Sequence, residues 1–123
     1  MYFSCAQKQH MSNQFHIEEF SEYKVFLYDR PSHGDDIDES IVIPYSQGEV
    51  YFIFYSSGEH ENETKGKAPN LKSFIYVRTE RFSRFIDILR HEKPLYIAVD
   101  PEEHSAYITT ELEPVGEGDE DQS

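Results

Sequence analysis

The chain has 123 residues, 37% of them apolar, with nine Phe, nine Tyr, no Trp, a single cysteine and a formal net charge of −13. That length suits one domain with one buried core, the aromatic content argues against wholesale disorder, and the lone Cys5 excludes an intrachain disulfide or a cysteine-rich metal site. The acidic balance argues against direct binding of nucleic acid or an anionic membrane, whose phosphates would be repelled, and favours cations or basic partners.

The opening MYFSCAQKQHMSNQ has no basic region followed by a long apolar run, so no secretory signal is expected and residues 1–13 are expected to be a flexible N-terminus. No stretch approaches the ~18 apolar residues of a membrane helix, and a cytoplasmic protein is expected. Residues 16–20 fit either a strand or a helical turn. Val25-Phe26-Leu27-Tyr28, bounded by Asp29-Arg30-Pro31, predicts a strand over 23–29. After an acidic loop, ESIVIPY predicts a strand over 39–45, stopped by Pro44 and Gln47-Gly48, and EVYFIFYS predicts another over 49–56. Residues 56–70 form a long polar loop, and LKSFIYV predicts a strand over 71–77.

Thr79 has the chemistry of a helix N-cap. Phe82, Phe85, Ile86 and Leu89 then recur at i, i+3, i+4 and i+7, which predicts one amphipathic helix ending before Pro94. LYIAV and SAYITTEL flank the turn DPEEH and predict a hairpin, and residues 113–123 read as a disordered acidic tail. The fold expected is α+β: an antiparallel β-sheet with one amphipathic helix packed on one face, in a single domain over 14–112. If strands 23–29, 39–45 and 49–56 form an up-and-down meander, loops 30–38 and 57–70 share an end. Asp35, Asp36, Asp38, Glu59, Glu61 and Glu63 would then gather on one rim.

Charge is segregated along the chain. Residues 31–64 carry eight acids and no Lys or Arg, residues 65–93 carry eight bases and three acids, and residues 94–123 carry nine acids and no base. The densest acidic run is SHGDDIDES, residues 32–40. Calcium takes six to eight oxygens at about 2.3–2.6 Å, which closely spaced acids in an irregular loop can supply. Asp36 and Asp38 point the same way if the backbone is extended, Asp35 or Glu39 could reach in, and Gly34 allows the bend. The match to an EF-hand loop is poor, because Val42 stands near the position of the required Gly and the segment runs into a strand. Acid runs are also commonly solvated surface, although a surface shaped only for solubility intersperses both signs.

Asp100, Glu102 and Glu103 are a second candidate cation group, with a polar hairpin turn as the simpler reading. Glu61 and Glu63, with Glu59 and His60, form a third, with a solvated loop as the simpler reading. The six histidines show no metal signature, no phosphate loop or nucleophile elbow is present, and an enzyme is not expected. Arg78, Arg81, Arg84, Arg90 and Lys93 make the helix region basic; they either cover the sheet and pair with the chain's own acids or form the second pole of a dipolar molecule.

A small acidic chain with the cluster GDDIDE outside any EF-hand, on a β-rich scaffold, resembles the cyanobacterial calcium-binding protein family CcbP, linked to heterocyst differentiation. The resemblance implies a cytosolic calcium buffer with Asp35, Asp36 and Asp38 as ligands, Asp38 foremost, and Glu39 after them. It also implies a second acidic site, for which residues 59–63 and 100–103 are candidates. The alternative is an acidic inhibitor or adaptor whose carboxylates mimic DNA phosphates or cover a basic surface on a partner protein. That reading needs apolar anchors among the acids, for which Tyr45, Tyr51 and Tyr55 are candidates, although strand tyrosines are more often core or cross-strand partners.

Overall fold

Val50, Phe52 and Phe54 alternate with Glu49, Tyr51, Ile53 and Tyr55. On a pleated strand this alternation separates a face that can be buried from one left to solvent. The structure, a computed structural model, describes residues 15–28 and 36–110. Its strands are β1 (His16–Phe20), β2 (Lys24–Leu27), β3 (Ile37–Tyr45), β4 (Gly48–Tyr55), β5 (Glu63–Lys65), β6 (Leu71–Arg78), β7 (Leu95–Asp100) and β8 (Ser105–Thr109). One α-helix, α1 (Phe82–His91), follows a 3-10 turn at Thr79–Arg81, and a second 3-10 turn covers Pro101–Glu103. The segments expected to be a flexible N-terminus and an acidic tail, residues 1–13 and 113–123, lie outside the described residues.

The strands form two sheets, one in the order β2-β3-β4-β6-β5 and one in the order β1-β7-β8. Ile41 and Ile43 of β3, Val50, Phe52 and Phe54 of β4 and Ile75 of β6 give the large sheet an apolar inner face. That face packs against α1 and against Phe20, Leu95, Ile97 and Val99 of the small sheet in one core. The helix is held by aromatic contacts: Phe54 meets Phe82 and Phe85 edge-on with centroids at 5.1 Å, and Phe52 lies 5.2 Å from Phe85. Such pairs favour tilted geometry because the ring edge is positive and the face negative.

The α+β class and the single helix against one sheet face are as expected. The β2-β3-β4 meander is also present, with both pairs antiparallel. Two features go beyond the sequence reading. Residues 56–70 contain β5, which pairs antiparallel with β6, and β6 pairs on its other side with β4, to which it runs parallel. Thr79 does not cap the helix; its hydroxyl donates to Glu39 Oε1 at 3.0 Å.

A polar clasp joins the two sheets. Glu18 of β1 accepts the Ser46 amide at 3.0 Å and the Ser46 hydroxyl at 2.6 Å, and His16 Nε2 lies 2.7 Å from the same carboxylate. Burial alone would raise the Glu18 pKa, but the bonds from Ser46 and His16 outweigh it and hold the carboxyl below its ordinary value. Glu49 is also lowered, by the Tyr51 hydroxyl first and then by Lys72. A carboxyl whose folded pKa is depressed adds stability above its unfolded pKa and loses that contribution as pH falls through the folded value. Glu18→Gln is therefore expected to lower stability at neutral pH and to flatten its fall below the ordinary carboxylate range, measured as urea midpoints across an acid titration. An unchanged acid limb would contradict the clasp.

Candidate interaction surface

Among the described residues, no helix packs on the second face of the large sheet. Because β4 pairs in register with β3 and β6, Tyr51, Ile53 and Tyr55 share this outer face with Ser40, Phe74 and Tyr76. Tyr51 stacks on Phe74 at 4.9 Å, and the His60 ring lies nearly parallel to Tyr76 at 4.8 Å. Lys72 sits 5.8 Å above Tyr51 and Arg78 sits 5.4 Å above Tyr55. These aromatic faces therefore hold cations already, through the attraction of a cation to the ring quadrupole. A cavity of about 250 Å³ opens among Tyr28, Ile37, Tyr51, Ile53 and Tyr76, and the buried Ser40 beside it places its hydroxyl 3.1 Å from that of Tyr28.

At the margin of this face lies β2, an edge strand. Val25 is 37% exposed, Phe26 44%, Leu27 70% and the adjoining Tyr28 43%. Four consecutive large apolar side chains reach solvent, on a strand whose outer side meets no other described strand. Folded proteins usually blunt such edges with charges, prolines or bulges. The opposite edge of the same sheet shows that blunting, since β5 is three residues long and brings Glu63 and Lys65. The run VFLY lacks the alternation of a half-buried strand, which was the signal in the sequence that it differs from its neighbours. A run of that kind ordinarily means burial on both faces, so the sequence alone did not reveal its exposure.

The candidate cation ligands are spread over several settings. Asp35 lies outside the described residues. The Asp36 carboxylate accepts a hydrogen bond from the Ser57 hydroxyl, and its carbonyl accepts the Ser56 amide at 2.9 Å. The 57–70 loop thus begins beside Asp36, at the end the meander implied. Asp38 falls at a register shift, because Ile37 pairs with Tyr55 and Glu39 with Phe54, and its carbonyl accepts the Tyr28 amide at 3.0 Å. An irregular step of this kind breaks the simple alternation that would aim Asp36 and Asp38 alike. Glu39 turns to Thr79, at the start of the helical segment.

Glu63 pairs with Phe74, whose register partner on β4 is Tyr51. Four strand residues, roughly 13 Å, separate that level from the end of β4 where Ser56 meets Asp36. Asn62, between Glu61 and Glu63, donates to the His104 carbonyl at 3.1 Å and accepts the Tyr76 amide at 2.8 Å. His104 Nδ1 also lies 3.2 Å from the Thr64 hydroxyl, so the 61–65 segment and the β7–β8 turn are brought together. Within that turn, Asp100 Oδ1 accepts the Glu103 amide at 3.4 Å as a cap, while Glu102 and Glu103 are exposed. Among the described residues, no three His, Cys, Asp or Glu side chains lie close enough to share a metal ion.

Of the expected aromatic anchors, Tyr51 and Tyr55 lie on the outer face. Tyr45 instead packs against the core, with His16 at 5.7 Å, and burial raises its pKa. No helix among the described residues is long and apolar enough to cross a membrane. The structure defines an α+β protein in which, among the described residues, one aromatic sheet face has no element packed on it. No family model matches the chain, and no curated protein or solved structure matches it.

Proposed function

We propose that this chain is a non-enzymatic, cytoplasmic interaction protein, an acidic inhibitor or adaptor that docks a basic protein partner. The observation that carries the reading is the exposed run Val25–Tyr28 on a sheet edge, next in sequence to the acid-rich segment 29–39, which holds Asp29, Asp35, Asp36, Asp38 and Glu39 against the single base Arg30. Exposed contiguous apolar surface with a charged surround is the chemistry of a protein interface. The net charge of −13 would steer a basic partner toward the molecule and make association fast and salt-sensitive, while the apolar run slows dissociation.

The test uses a short labelled peptide alternating Lys with Val as probe, followed by fluorescence anisotropy. Binding should weaken steeply with added salt, and should weaken about tenfold when Phe26→Ser and Leu27→Ser are combined, the scale expected for losing a well-buried apolar side chain from an interface. Equal affinity for that double variant would remove the apolar run from the interface. No binding even at low salt would overturn the reading.

A second reading, the calcium buffer that the likeness to CcbP implies, is favoured by one observation. Asp36 and Asp38 offer hard oxygen donors at the partly exposed start of β3, with the Ser57 hydroxyl beside Asp36. Calcium there would relieve carboxylate repulsion, and binding should stabilise the fold by mass action. Saturable calcium binding that survives millimolar magnesium and weakens in Asp38→Asn would support it; heat that magnesium abolishes would not.

A further inference from the structure

Among the described residues no strand pairs with the outer side of β2, and the direction of its backbone groups specifies how a partner could bind. Tyr28 donates its amide to Asp38 across the β2–β3 pair. Amides alternate in direction along a strand, so those of Lys24 and Phe26 also face β3. The N–H and C=O groups of Val25 and Leu27 therefore face outward, where the sheet order places no described strand. Two residues thus present two donors and two acceptors at strand spacing, with the exposed side chains of Phe26 and Leu27 between them and on either face.

We infer that β2 receives an extended basic segment of the partner as an added strand, extending the large sheet from five strands to six. The inference rests on the interaction reading above and specifies its geometry. Main-chain bonds to Val25 and Leu27 supply the pairing. Alternate side chains of the incoming strand fall next to Phe26 and Tyr28 on the outer face, toward the cavity among Tyr28, Ile37, Tyr51 and Tyr76. Charge argues against two other occupants. A second copy would bring another −13 to the interface, and residues 111–123 of this chain carry six acids with only Leu112 and Val115 as apolar residues. A strand alternating Lys or Arg with apolar residues meets both the apolar run and the acids Asp38 and Glu39 that face it on β3.

Leu27→Pro separates strand addition from simple charge attraction. Its amide faces outward, so the substitution leaves the β2–β3 ladder intact; edge positions of this kind are where proline is tolerated in sheets. With the alternating Lys/Val peptide as probe, the expected result is at least about a tenfold loss of affinity in Leu27→Pro, since an outward donor is removed and the ring obstructs the incoming strand. Hydrogen exchange at the Val25 and Leu27 amides of the unsubstituted chain should slow when the peptide binds. Peptide that binds Leu27→Pro and the unsubstituted chain equally, with its salt dependence intact, would overturn strand addition and leave the basic-partner reading standing. Absence of binding to either would overturn both. Protection of the two amides without peptide would assign the edge to a segment of this chain. Protection that rises with protein concentration would assign it to a second copy. Thermal unfolding of Leu27→Pro close to that of the unsubstituted chain checks that the sheet has survived.

Discussion

Phe54→Ala is expected to destabilise the protein by about 4 kcal/mol, the range for emptying a fully buried aromatic site. Phe54 has no solvent exposure and its ring meets both Phe82 and Phe85, so the cavity would open where the large sheet meets the helix. The site is not one that can collapse easily. Backbone hydrogen bonding holds β4 between β3 and β6, and a cavity that cannot close costs more than the lost transfer energy alone. A loss of that size would lower the thermal midpoint by roughly 20 °C in a domain of this size. Urea unfolding followed by far-UV circular dichroism measures it. A change below about 1.5 kcal/mol would mean that the helix does not rest on Phe54 as described.

Gly48→Ala is expected to destabilise by about 3 kcal/mol or more, for a different reason. A Cβ there would overlap the Leu71 carbonyl oxygen and stand 2.6 Å from the Leu71 nitrogen. Both are backbone atoms, so no side chain can turn aside, and overpacking of this kind is relieved only by moving the chain. Gly48 is the first residue of β4, opposite Leu71, the first of β6, and the Leu71 amide also donates to Gln47 at 3.0 Å. The substitution thus strikes where the parallel pair begins. The expected result is a lowered urea midpoint with faster amide exchange along β6 and little change along β7. A neutral outcome would contradict the close approach of the two strands.

The parallel pair shows where the sequence stopped being legible. The strong strands announced themselves: ESIVIPY and EVYFIFYS carry β-branched and aromatic residues between turn residues, and the helix shows its Phe82, Phe85, Ile86, Leu89 stripe. What the pattern could not convey was pairing. β5 is only Glu-Thr-Lys, two charges around one β-branched residue, and nothing in its composition distinguishes it from the polar loop. Its place comes from tertiary contacts, namely Asn62 on Tyr76 and Thr64 on His104. The direct β4–β6 pairing, which makes the sheet mixed, also left no mark on the sequence. Residues 16–20 were ambiguous for a similar reason, since HIEEF gains its strand character from pairing with β7.

The proposed interaction surface was partly legible. The outer-face position of Tyr51 and Tyr55 was readable because alternation puts them opposite Phe52 and Phe54. Tyr45 takes the commoner place of a strand tyrosine, because the two-residue turn at Ser46-Gln47 and the Glu18 clasp bring its surroundings into the core. The acids from Asp36 to Glu39 were read as a common group. In the fold they are divided by the register shift at Asp38 and by two local partners, Ser57 and Thr79. Those partners are distant in sequence, so no spacing rule could have found them.

The most direct test of the proposed interaction is amide chemical-shift mapping during titration of the alternating Lys/Val peptide at physiological salt. The expected result is saturable shifts concentrated on Lys24–Tyr28 and continuing onto Ser40, Tyr51 and Tyr76. Small shifts scattered over every exposed carboxylate-bearing segment, with Val25 and Leu27 unmoved, would contradict it and leave the negative charge as a diffuse attraction without a docking site.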